Sequence, residues 1–354
     1  MKSKIEGIRG ILETKGLSAL LITNAQNRQY VSGFVGTAGT LLVTPTEAFL
    51  ATDFRYVEQA SKQTCGFDII KSSGWDWLPR IVSKLDLKII GFESSDLSVQ
   101  SFEKVRESIL EIKSDPGPML VPTVNIVETL RTIKASEEIS ELQGSIDISD
   151  RAMDSVCPTI HAGLTEREVA WRMEKAMREY GADSSSFDTI VGRGPNSAMP
   201  HHRASDDVIQ LGDPVVIDMG ALRNGYCSDI TRTIFVGDPD DEYKKIYDLV
   251  LTAQLTAIET IQPGMTGQTG DSLARTVLNE AGYGDNFGHS LGHGIGLDVH
   301  ELPRLSPNSQ DILSENMIFS VEPGIYISGW GGVRIEDLVI LTKDGAKQLS
   351  KAKK

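Results

Sequence analysis

Five residues able to bind metal ions lie at the ends of apolar runs, or inside them, in the second half of this 354-residue chain. A carboxylate within a buried strand is costly unless it is paired or bound to a cation. The five residues are Asp218, Asp229, His293, Glu322 and Glu336. Because four carboxylates roughly balance two divalent ions, this oxygen-rich set indicates a dinuclear site for Mn²⁺, Co²⁺, Fe²⁺ or Zn²⁺.

The two aspartates belong to neighbouring apolar runs that predict a pair of antiparallel strands. Asp218 ends the first run, and Asp229 opens the second run eleven residues later. Gly220 and Gly225 lie between them and are expected to form the hairpin turn, because glycine adopts the backbone conformations that tight turns need. The two carboxylates would then face each other, and their repulsion would raise a carboxyl pKa unless a cation neutralised it.

The remaining ligands come from later segments of the chain. His293 lies in the glycine-rich block 288–296, which also contains His289 and where missing side chains let the backbone approach closely. Glu322 directly follows an apolar run, and Glu336 lies within another.

Each of these residues also has an interpretation without metal. The two aspartates could pair with Arg232 or Arg334, since surface acids are common. His293 could be a loop histidine, and Glu322 could cap the turn that begins at Pro323. We favour the metal site because one site explains all five residues together.

These residues lie in blocks that resemble the pita-bread metallopeptidase family, which includes aminopeptidase P, prolidase and methionine aminopeptidase. Five blocks match the ligand motifs of that family in order: Val216–Gly220, Cys227–Thr233, Gly292–Glu301, Val321–Gly324 and Arg334–Asp337. Residues 133–139 resemble the start of its catalytic domain, and residues 30–34 resemble part of its N-terminal domain.

The resemblance favours the proline-specific members of the family. Methionine aminopeptidases lack such an N-terminal domain, and creatinase lacks the metal ligands. The chain is therefore expected to hydrolyse the Xaa-Pro bond of short peptides with proline at the second position, releasing the N-terminal residue. Dipeptidase activity, as in prolidase, and activity on longer peptides, as in aminopeptidase P, stay open as alternatives.

The same resemblance assigns roles to the five ligands. Asp218 and Asp229 would bind one ion, His293 and Glu322 the other, and Asp229 and Glu336 would bridge them, with Mn²⁺ favoured. Water held between the ions would be the nucleophile, since coordination lowers its pKa toward ~7. Glu322 would also pass a proton to the leaving amine.

Three histidines outside the ligand set match family positions around the substrate. His201 would stabilise the tetrahedral intermediate or bind the substrate, His300 matches the second such histidine, and both could donate hydrogen bonds to the oxyanion. His289 would form a wall of the proline pocket, with a structural role in the glycine turn as its alternative. His202 is an alternative to His201, which is preferred because it directly follows the proline of the motif.

Other matched residues would bind the substrate or orient the ligands. Arg304 would face the carboxylate of a dipeptide, with a surface ion pair as its structural alternative. Tyr226 would support the substrate or the metal-bound water. Thr231, Arg334 and Asp337 lie near the ligands in sequence and are expected to orient them.

Two further functions are compatible with these patterns. A catalytically silent pita-bread module could bind peptides or proteins, as some relatives do after losing ligands, although this chain keeps all five. A dinuclear site could also hydrolyse another C–N bond or a P–O bond, because such sites are chemically permissive.

The elements that must position these residues follow from hydrophobic periodicity. Strand-like runs cover residues 214–219, 229–235, 317–321 and 337–341, and helical patterns begin at residue 136 and cover 165–180 and 242–261. We therefore predict an α+β fold whose C-terminal pita-bread domain packs helices on an antiparallel sheet.

A smaller α/β domain of the creatinase/prolidase type is predicted over residues 1–122, where helical and strand-like segments alternate. The segment Asp115-Pro116-Gly117-Pro118 should break regular structure near its end. A linker is expected over residues 123–134 and the catalytic domain over 135–354. By resemblance, the N-terminal domain would restrict the site to short substrates and form the contacts of a homodimer.

Composition argues against several other classes of protein. The formal net charge of −14 argues against a nucleic-acid partner, which needs a basic face. Three cysteines without CxxC spacing indicate neither a disulfide framework nor a zinc knuckle. No signal peptide or membrane span is recognisable, so a cytoplasmic protein without membrane contact is expected.

Overall fold

A computed structural model describes residues 2–110, 112 and 117–354 of the chain. The chain divides into two compact units, Met1–Arg131 and Thr132–Lys354, which agrees with the predicted two-domain organisation. Asp115 and Pro116, which belong to the predicted break, lie outside the described residues. Within the described ranges, no helix combines the length and the apolar character that crossing a bilayer requires.

The first unit is a mixed sheet accompanied by helices, as its predicted α/β class requires. Its strands are β1 (Ala19–Ile22), β2 (Thr40–Val43), β3 (Ala48–Thr52), β4 (Asp68–Lys71), β5 (Ile89–Glu93) and β6 (Met119–Thr123), in the order β4-β3-β2-β1-β5-β6. Its helices are α1 (Lys2–Lys15), α2 (Ala25–Ser32), α3 (Val57–Gln63), α4 (Leu78–Lys84), α5 (Val99–Leu110) and α6 (Ile126–Thr132).

The first unit extends beyond residue 122, where the sequence predicted its end. The segment 123–134, predicted as a linker, contains α6. Arg131 Nη1 donates to Asn27 Oδ1 at 2.7 Å, and the Tyr30 hydroxyl donates to the Leu130 carbonyl at 3.0 Å. These contacts hold α6 to the first unit, so the compact units divide after Arg131.

The second unit contains the helices α7 (Ser136–Val156), α8 (Glu166–Glu179), α9 (Asp241–Thr260) and α10 (Gly267–Glu280). The first three were predicted, and α8 begins with the expected reciprocal cap. Thr165 Oγ1 accepts from the Glu168 amide at 3.1 Å, and Glu168 Oε2 accepts from the Thr165 amide at 2.8 Å. α10 was not predicted.

The strands of the second unit pair in an antiparallel manner wherever a pairing is described. They are β7 (Ser184–Ser185), β8 (Ile190–Arg193), β9 (Pro214–Met219), β10 (Ala221–Arg223), β11 (Tyr226–Cys227), β12 (Ile230–Phe235), β13 (Gly292–Gly294), β14 (Glu301–Leu305), β15 (Ile318–Val321), β16 (Gly324–Ile327), β17 (Gly331–Arg334), β18 (Asp337–Thr342) and β19 (Gly345–Gln348). The sheets that form the site have the orders β12-β9-β8 and β14-β13-β15-β18-β19. The predicted antiparallel sheet is therefore confirmed.

The connection between β9 and β12 differs from the simple hairpin predicted by the sequence. β10 and β11 form a second hairpin inside it, and Asn224 and Gly225 make its turn with φ of 51° and 83°. Gly220 is not part of this turn. A Cβ atom on Gly220 would lie 2.0 Å from the Ser228 carbonyl oxygen, so glycine permits a close backbone approach there.

A buried apolar cluster supports the strands that carry the site. Ile246 and Val250 of α9 and Leu278 of α10 belong to the same cluster as Phe319 of β15 and Val339 of β18. Burying one such side chain contributes about 1.5–3 kcal/mol. Packing of α9 and α10 against β15 and β18 therefore stabilises these two strands.

Candidate active site

The five predicted metal ligands converge on one cavity of about 630 Å³ in the second unit. Its lining includes Asp218, Asp229, His293, Glu322 and Glu336, together with His201, His202, His289, His300, Arg304 and Arg334. In the β15–β18 pair, Val321 is opposite Asp337. Glu322 follows Val321 and Glu336 precedes Asp337, so the two glutamates lie side by side at the same end of the paired strands.

Pairing between β9 and β12 brings the two aspartates side by side. Asp218 is opposite Thr231, and Asp229 lies two residues before Thr231. Because alternate residues of a strand share a face, all three side chains point the same way. The carboxyl groups of Asp218 and Asp229 therefore lie close enough for each to shift the pKa of the other.

His293 comes from β13 and faces the acids through its Nε2 atom. Nε2 lies 3.3 Å from Glu322 Oε1 and 3.6 Å from Asp229 Oδ2. Nδ1 lies 3.1 Å from the Gly294 carbonyl, which fixes the ring orientation. A Cβ atom on Gly294 would lie 2.1 Å from the Leu302 carbonyl oxygen, so this strand needs glycine next to the histidine.

Three buried carboxylate oxygens in the cluster have no hydrogen-bond partner among the described residues: Asp218 Oδ1, Asp229 Oδ1 and Glu336 Oε1. Buried oxygens are normally satisfied, and each unsatisfied one costs free energy. Ligand atoms of Asp229, His293 and Glu336 lie within 4.8 Å of one another. This donor set fits divalent cations, which carboxylates and imidazole bind well.

The acids of the cluster ionise unequally. Burial, and then the charges of Glu336 and Asp218, raise the pKa of Asp229 well above its usual value. Burial and the charge of Glu322 do the same to the pKa of Glu336. Burial also opposes ionisation of Glu322, but the hydrogen bond and charge of His293 outweigh it and lower its pKa to about 2. Clustering the acids is therefore costly without cations.

Two of the residues predicted to orient the ligands contact them directly. Arg334 Nη2 donates to Asp218 Oδ2 at 2.6 Å, and its Nε donates to Thr231 Oγ1 at 3.0 Å. Thr231 Oγ1 donates in turn to Glu336 Oε2 at 2.8 Å. One carboxylate oxygen of Asp218 and one of Glu336 are thus fixed by hydrogen bonds, and the other oxygen of each is available to a cation.

Asp337, the third such residue, does not line the cavity. Its Oδ1 atom accepts from Arg232 Nη2 at 2.8 Å, and Arg232 Nη1 donates to the Glu336 carbonyl at 2.6 Å. Gln254 Nε2 contacts the Val321 and Ile335 carbonyls, both at 3.1 Å. These side chains hold the backbone beside the two glutamates, and sequence analysis missed Arg232 and Gln254 in this role.

Tyr326 is another residue that sequence analysis missed. Its hydroxyl accepts from Arg334 Nη1 at 2.8 Å and lies 2.9 Å from His289 Nε2. Burial raises the pKa of Tyr326 to about 12, so the hydroxyl stays protonated and can donate to His289. His289 Nδ1 lies 2.8 Å from the Ser290 carbonyl. With both nitrogens engaged, His289 presents its ring to the cavity as a wall.

His201 and His202 have different surroundings, although both line the cavity. His201 is exposed to it. His202 Nε2 lies 2.7 Å from Oε2 of Glu166, which is fully buried. His202 is therefore held by the protein, whereas the His201 ring is available to a substrate.

His300 and Arg304 lie beside His293. The rings of His300 and His293 pack edge to face with their centroids 4.3 Å apart. Burial and the charge of His293 lower the pKa of His300. Arg304 is opposite His293 in the β13–β14 pair, so their side chains share a face. The exposed Arg304 has no ion-pair partner among the residues that the structure describes.

Tyr226 lies elsewhere, contrary to the prediction that it contacts the substrate or the metal-bound water. It belongs to β11, in the additional hairpin, which packs on α7. Its hydroxyl donates to Glu138 Oε1 at 3.0 Å, and its carbonyl accepts from Ser145 Oγ at 2.9 Å. The additional hairpin carries Tyr226 away from the line of β12, which explains the error.

The antiparallel sheet and the helices thus bring four carboxylates and a histidine to one cavity, as in a metal-dependent hydrolase. The chain belongs to Metallopeptidase family M24, which residues 140–343 match. Residues 4–133 match the Creatinase/Prolidase N-terminal domain. Membership of this family implies divalent metal ions, and the donor set described above fits them.

Several relatives resemble the chain over its full length. It is 39% identical to a Xaa-Pro dipeptidase of Pyrococcus furiosus, covering 100% of this chain and 99% of the relative. A structure of a Xaa-Pro dipeptidase from Bacillus anthracis superposes with a TM-score of 0.96 at 44% identity, covering 100% and 98% of the two chains. An X-Pro aminopeptidase from Thermotoga maritima superposes with a TM-score of 0.88 at 39% identity, covering 98% and 97%.

Proposed function

We propose that this protein is a metallo-exopeptidase that hydrolyses the Xaa-Pro bond of short peptides and releases the N-terminal residue. The observation that carries the proposal is the set of three buried carboxylate oxygens beside His293 that have no hydrogen-bond partner in the described part of the chain. Relatives named Xaa-Pro dipeptidase, similar over the whole chain, support the substrate class. Nothing in these relatives favours a non-catalytic binding module.

Two divalent ions, with Mn²⁺ favoured, would be held by the five predicted ligands. Asp218, Asp229, His293, Glu322 and Glu336 would form this set. When bound, such ions polarise the scissile carbonyl and make water nucleophilic near neutral pH.

The remaining steps depend on side chains of the chain itself. His201 and His300 would donate hydrogen bonds to the oxygen that gains charge as the carbonyl is attacked. The carboxylate of Glu322 would accept a proton and pass it to the leaving proline nitrogen. The ring of His289 would form one wall of the proline pocket.

Arg304 favours dipeptides over longer peptides as substrates. It lines the cavity on the face of His293, and its guanidinium forms no ion pair among the described residues, so it can pair with the proline carboxylate of a dipeptide. A relative named X-Pro aminopeptidase keeps activity on longer peptides as the alternative. A homodimer in the cytoplasm remains part of the proposal.

The test measures free amino acid released from Gly-Pro and from Ala-Pro-Ala by Mn²⁺-loaded protein. Cleavage of the dipeptide alone is the expected result, and cleavage of the tripeptide would move the assignment to aminopeptidase. Glu322→Gln should abolish either activity, whereas Glu315→Gln, the same change at an exposed position, should not. Failure of metal-loaded wild type to cleave either peptide would overturn the proposal.

A further inference from the structure

Glu166 is a fully buried carboxylate at the start of α8 that does not line the cavity. Its Oε1 atom accepts from the Arg193 amide and from Asn196 Nδ2, both at 2.9 Å. Its Oε2 atom accepts from His202 Nε2 at 2.7 Å, from the Ser205 amide at 3.0 Å and from Ser205 Oγ at 2.8 Å. All these donors belong to segment 193–205, which contains His201.

This arrangement is more specific than a helix cap requires. Burial of an isolated carboxylate is strongly unfavourable, and here the donors compensate for it. Burial raises the pKa of Glu166, but the hydrogen bonds from Arg193, Asn196, His202 and Ser205 outweigh it, so the net pKa falls and the group stays ionised. The cap of α8 is provided separately by the capping box.

The other neighbour of His201 is held from inside the site. Arg334 Nη1 donates to the Pro200 carbonyl at 3.4 Å, and Arg334 also binds Asp218. Residues 200 and 202 are thus fixed from two directions, and the side chain between them reaches the cavity. A shift of about 1 Å in a catalytic group can cost on the order of 100-fold in rate.

We propose that Glu166 is a positioning residue for peptide hydrolysis, because it fixes His202 and Ser205 and thereby places His201 against the reacting carbonyl. The proposal rests on the function proposed above and adds a residue to it. Glu166 does not line the cavity, so its loss should affect the chemical step more than substrate binding or metal uptake.

The main variant is Glu166→Gln, which keeps the shape but turns one acceptor into a donor that faces other donors. We expect kcat for Gly-Pro to fall by about 10- to 100-fold, because His201 would be misplaced relative to the reacting carbonyl, with little change in KM or in Mn²⁺ bound per chain. Glu168→Gln is the matched control, since Glu168 lies in the same helical turn and, among the described residues, its side chain accepts hydrogen bonds from Thr165 alone. A wild-type kcat in Glu166→Gln would overturn the proposal.

A double-mutant cycle separates positioning from general stability. If Glu166 acts through His201, Glu166→Gln should cost little in a His201→Ala background. Additive losses in kcat would contradict the proposal. A His201→Ala enzyme with wild-type activity would instead contradict the role of His201 in the proposed function, and an inactive wild type would contradict that function as a whole.

Variants of His202 keep the proposal testable if Glu166→Gln does not fold. Gln at position 202 retains an N–H that can donate to Glu166, whereas Leu does not. His202→Gln should therefore keep more of the kcat than His202→Leu. Equal, severe losses in both would mean that the imidazole of His202 itself is required, and would overturn the positioning role.

Discussion

Arg334 donates from Nη2 to Asp218 Oδ2 at 2.6 Å while its Nε and Nη1 atoms engage Thr231 and Tyr326. A lysine would keep one charge but could not make these contacts together, because its ammonium lacks the planar fork of guanidinium. We expect Arg334→Lys to lower Mn²⁺ affinity or kcat/KM by about 10- to 100-fold, as is usual for groups that orient metal ligands. Calorimetric titration and Gly-Pro turnover measure the two quantities.

The matched control is Arg178→Lys, the same change at an exposed position near the end of α8. It should leave both quantities at the wild-type level. Wild-type behaviour of Arg334→Lys would show that Asp218 needs no orienting guanidinium.

Metal binding should become tighter as pH rises. Burial and neighbouring charges raise the pKa of Asp229 and Glu336, so cations must displace protons from them. Affinity should rise by up to about tenfold per pH unit for each proton displaced. Titration calorimetry in buffers of different ionisation enthalpy counts these protons. A metal affinity that does not change with pH would contradict the raised pKa of Asp229 and of Glu336.

Removal of metal should make stability fall with increasing pH. A carboxyl with a raised native pKa stabilises the fold below its unfolded pKa of ~4, and this contribution is lost as pH rises through the native value. Asp229 and Glu336 should behave in this way in chelator. The free energy of unfolding gained on adding Mn²⁺ should therefore increase with pH over the same window, which denaturant titrations at several pH values would detect.

Arg304 should distinguish a free carboxylate from an amide. We expect Arg304→Leu to raise KM for Gly-Pro by about five- to tenfold, since an exposed charged hydrogen bond contributes on the order of 1 kcal/mol. KM for Gly-Pro amide, if the wild type cleaves it, should hardly change. An equal rise in both KM values would indicate that Arg304 shapes the cavity without reading the carboxylate.

Gly294 allows β13 to lie against β14, so a methyl group there should be poorly tolerated. The Cβ atom would lie 2.1 Å from the Leu302 carbonyl oxygen and 2.9 Å from Pro303 N. We expect Gly294→Ala to lower the free energy of unfolding by about 1–3 kcal/mol and to weaken metal binding through the adjacent His293. Gly288→Ala is the control, since its Cβ atom would meet nothing within 4 Å. Equal unfolding curves for the two variants would contradict this account.

The convergence of the five candidate ligands on one cavity was predictable because these residues conflict with their surroundings. Asp218 and Glu322 lie at the ends of apolar runs, and a buried carboxylate has few compatible explanations. The residues that orient them carry no such signal. Glu336 depends on Thr231, 105 residues away, and on Arg232, 104 residues away. Such contacts arise from strand register, which a single sequence does not specify.

Tyr226 and Tyr326 show the same limit of prediction from sequence: one was assigned to the site and lies elsewhere, and the other lies in the site and was not assigned to it. Tyr226 lies next to a ligand motif in sequence but faces α7, because β10 and β11 form their own hairpin. Tyr326 was passed over, although its hydroxyl joins Arg334 to His289. Closeness along the chain to a ligand is therefore weaker evidence of a role than the strand on which a residue lies.

The additional hairpin also bears on how distant relatives can be detected. Asp218 and Asp229 meet across β9 and β12, while the residues between them form a hairpin that turns at Asn224, an exposed position. The number of residues between the two aspartates thus depends on the length of this hairpin and does not determine the distance between the two side chains. Turns of this kind tolerate insertions and deletions. A sequence-search pattern with a fixed spacing between the two aspartates would discard relatives that have the same candidate site but a longer or shorter hairpin. A pattern that lets this spacing vary would retain them.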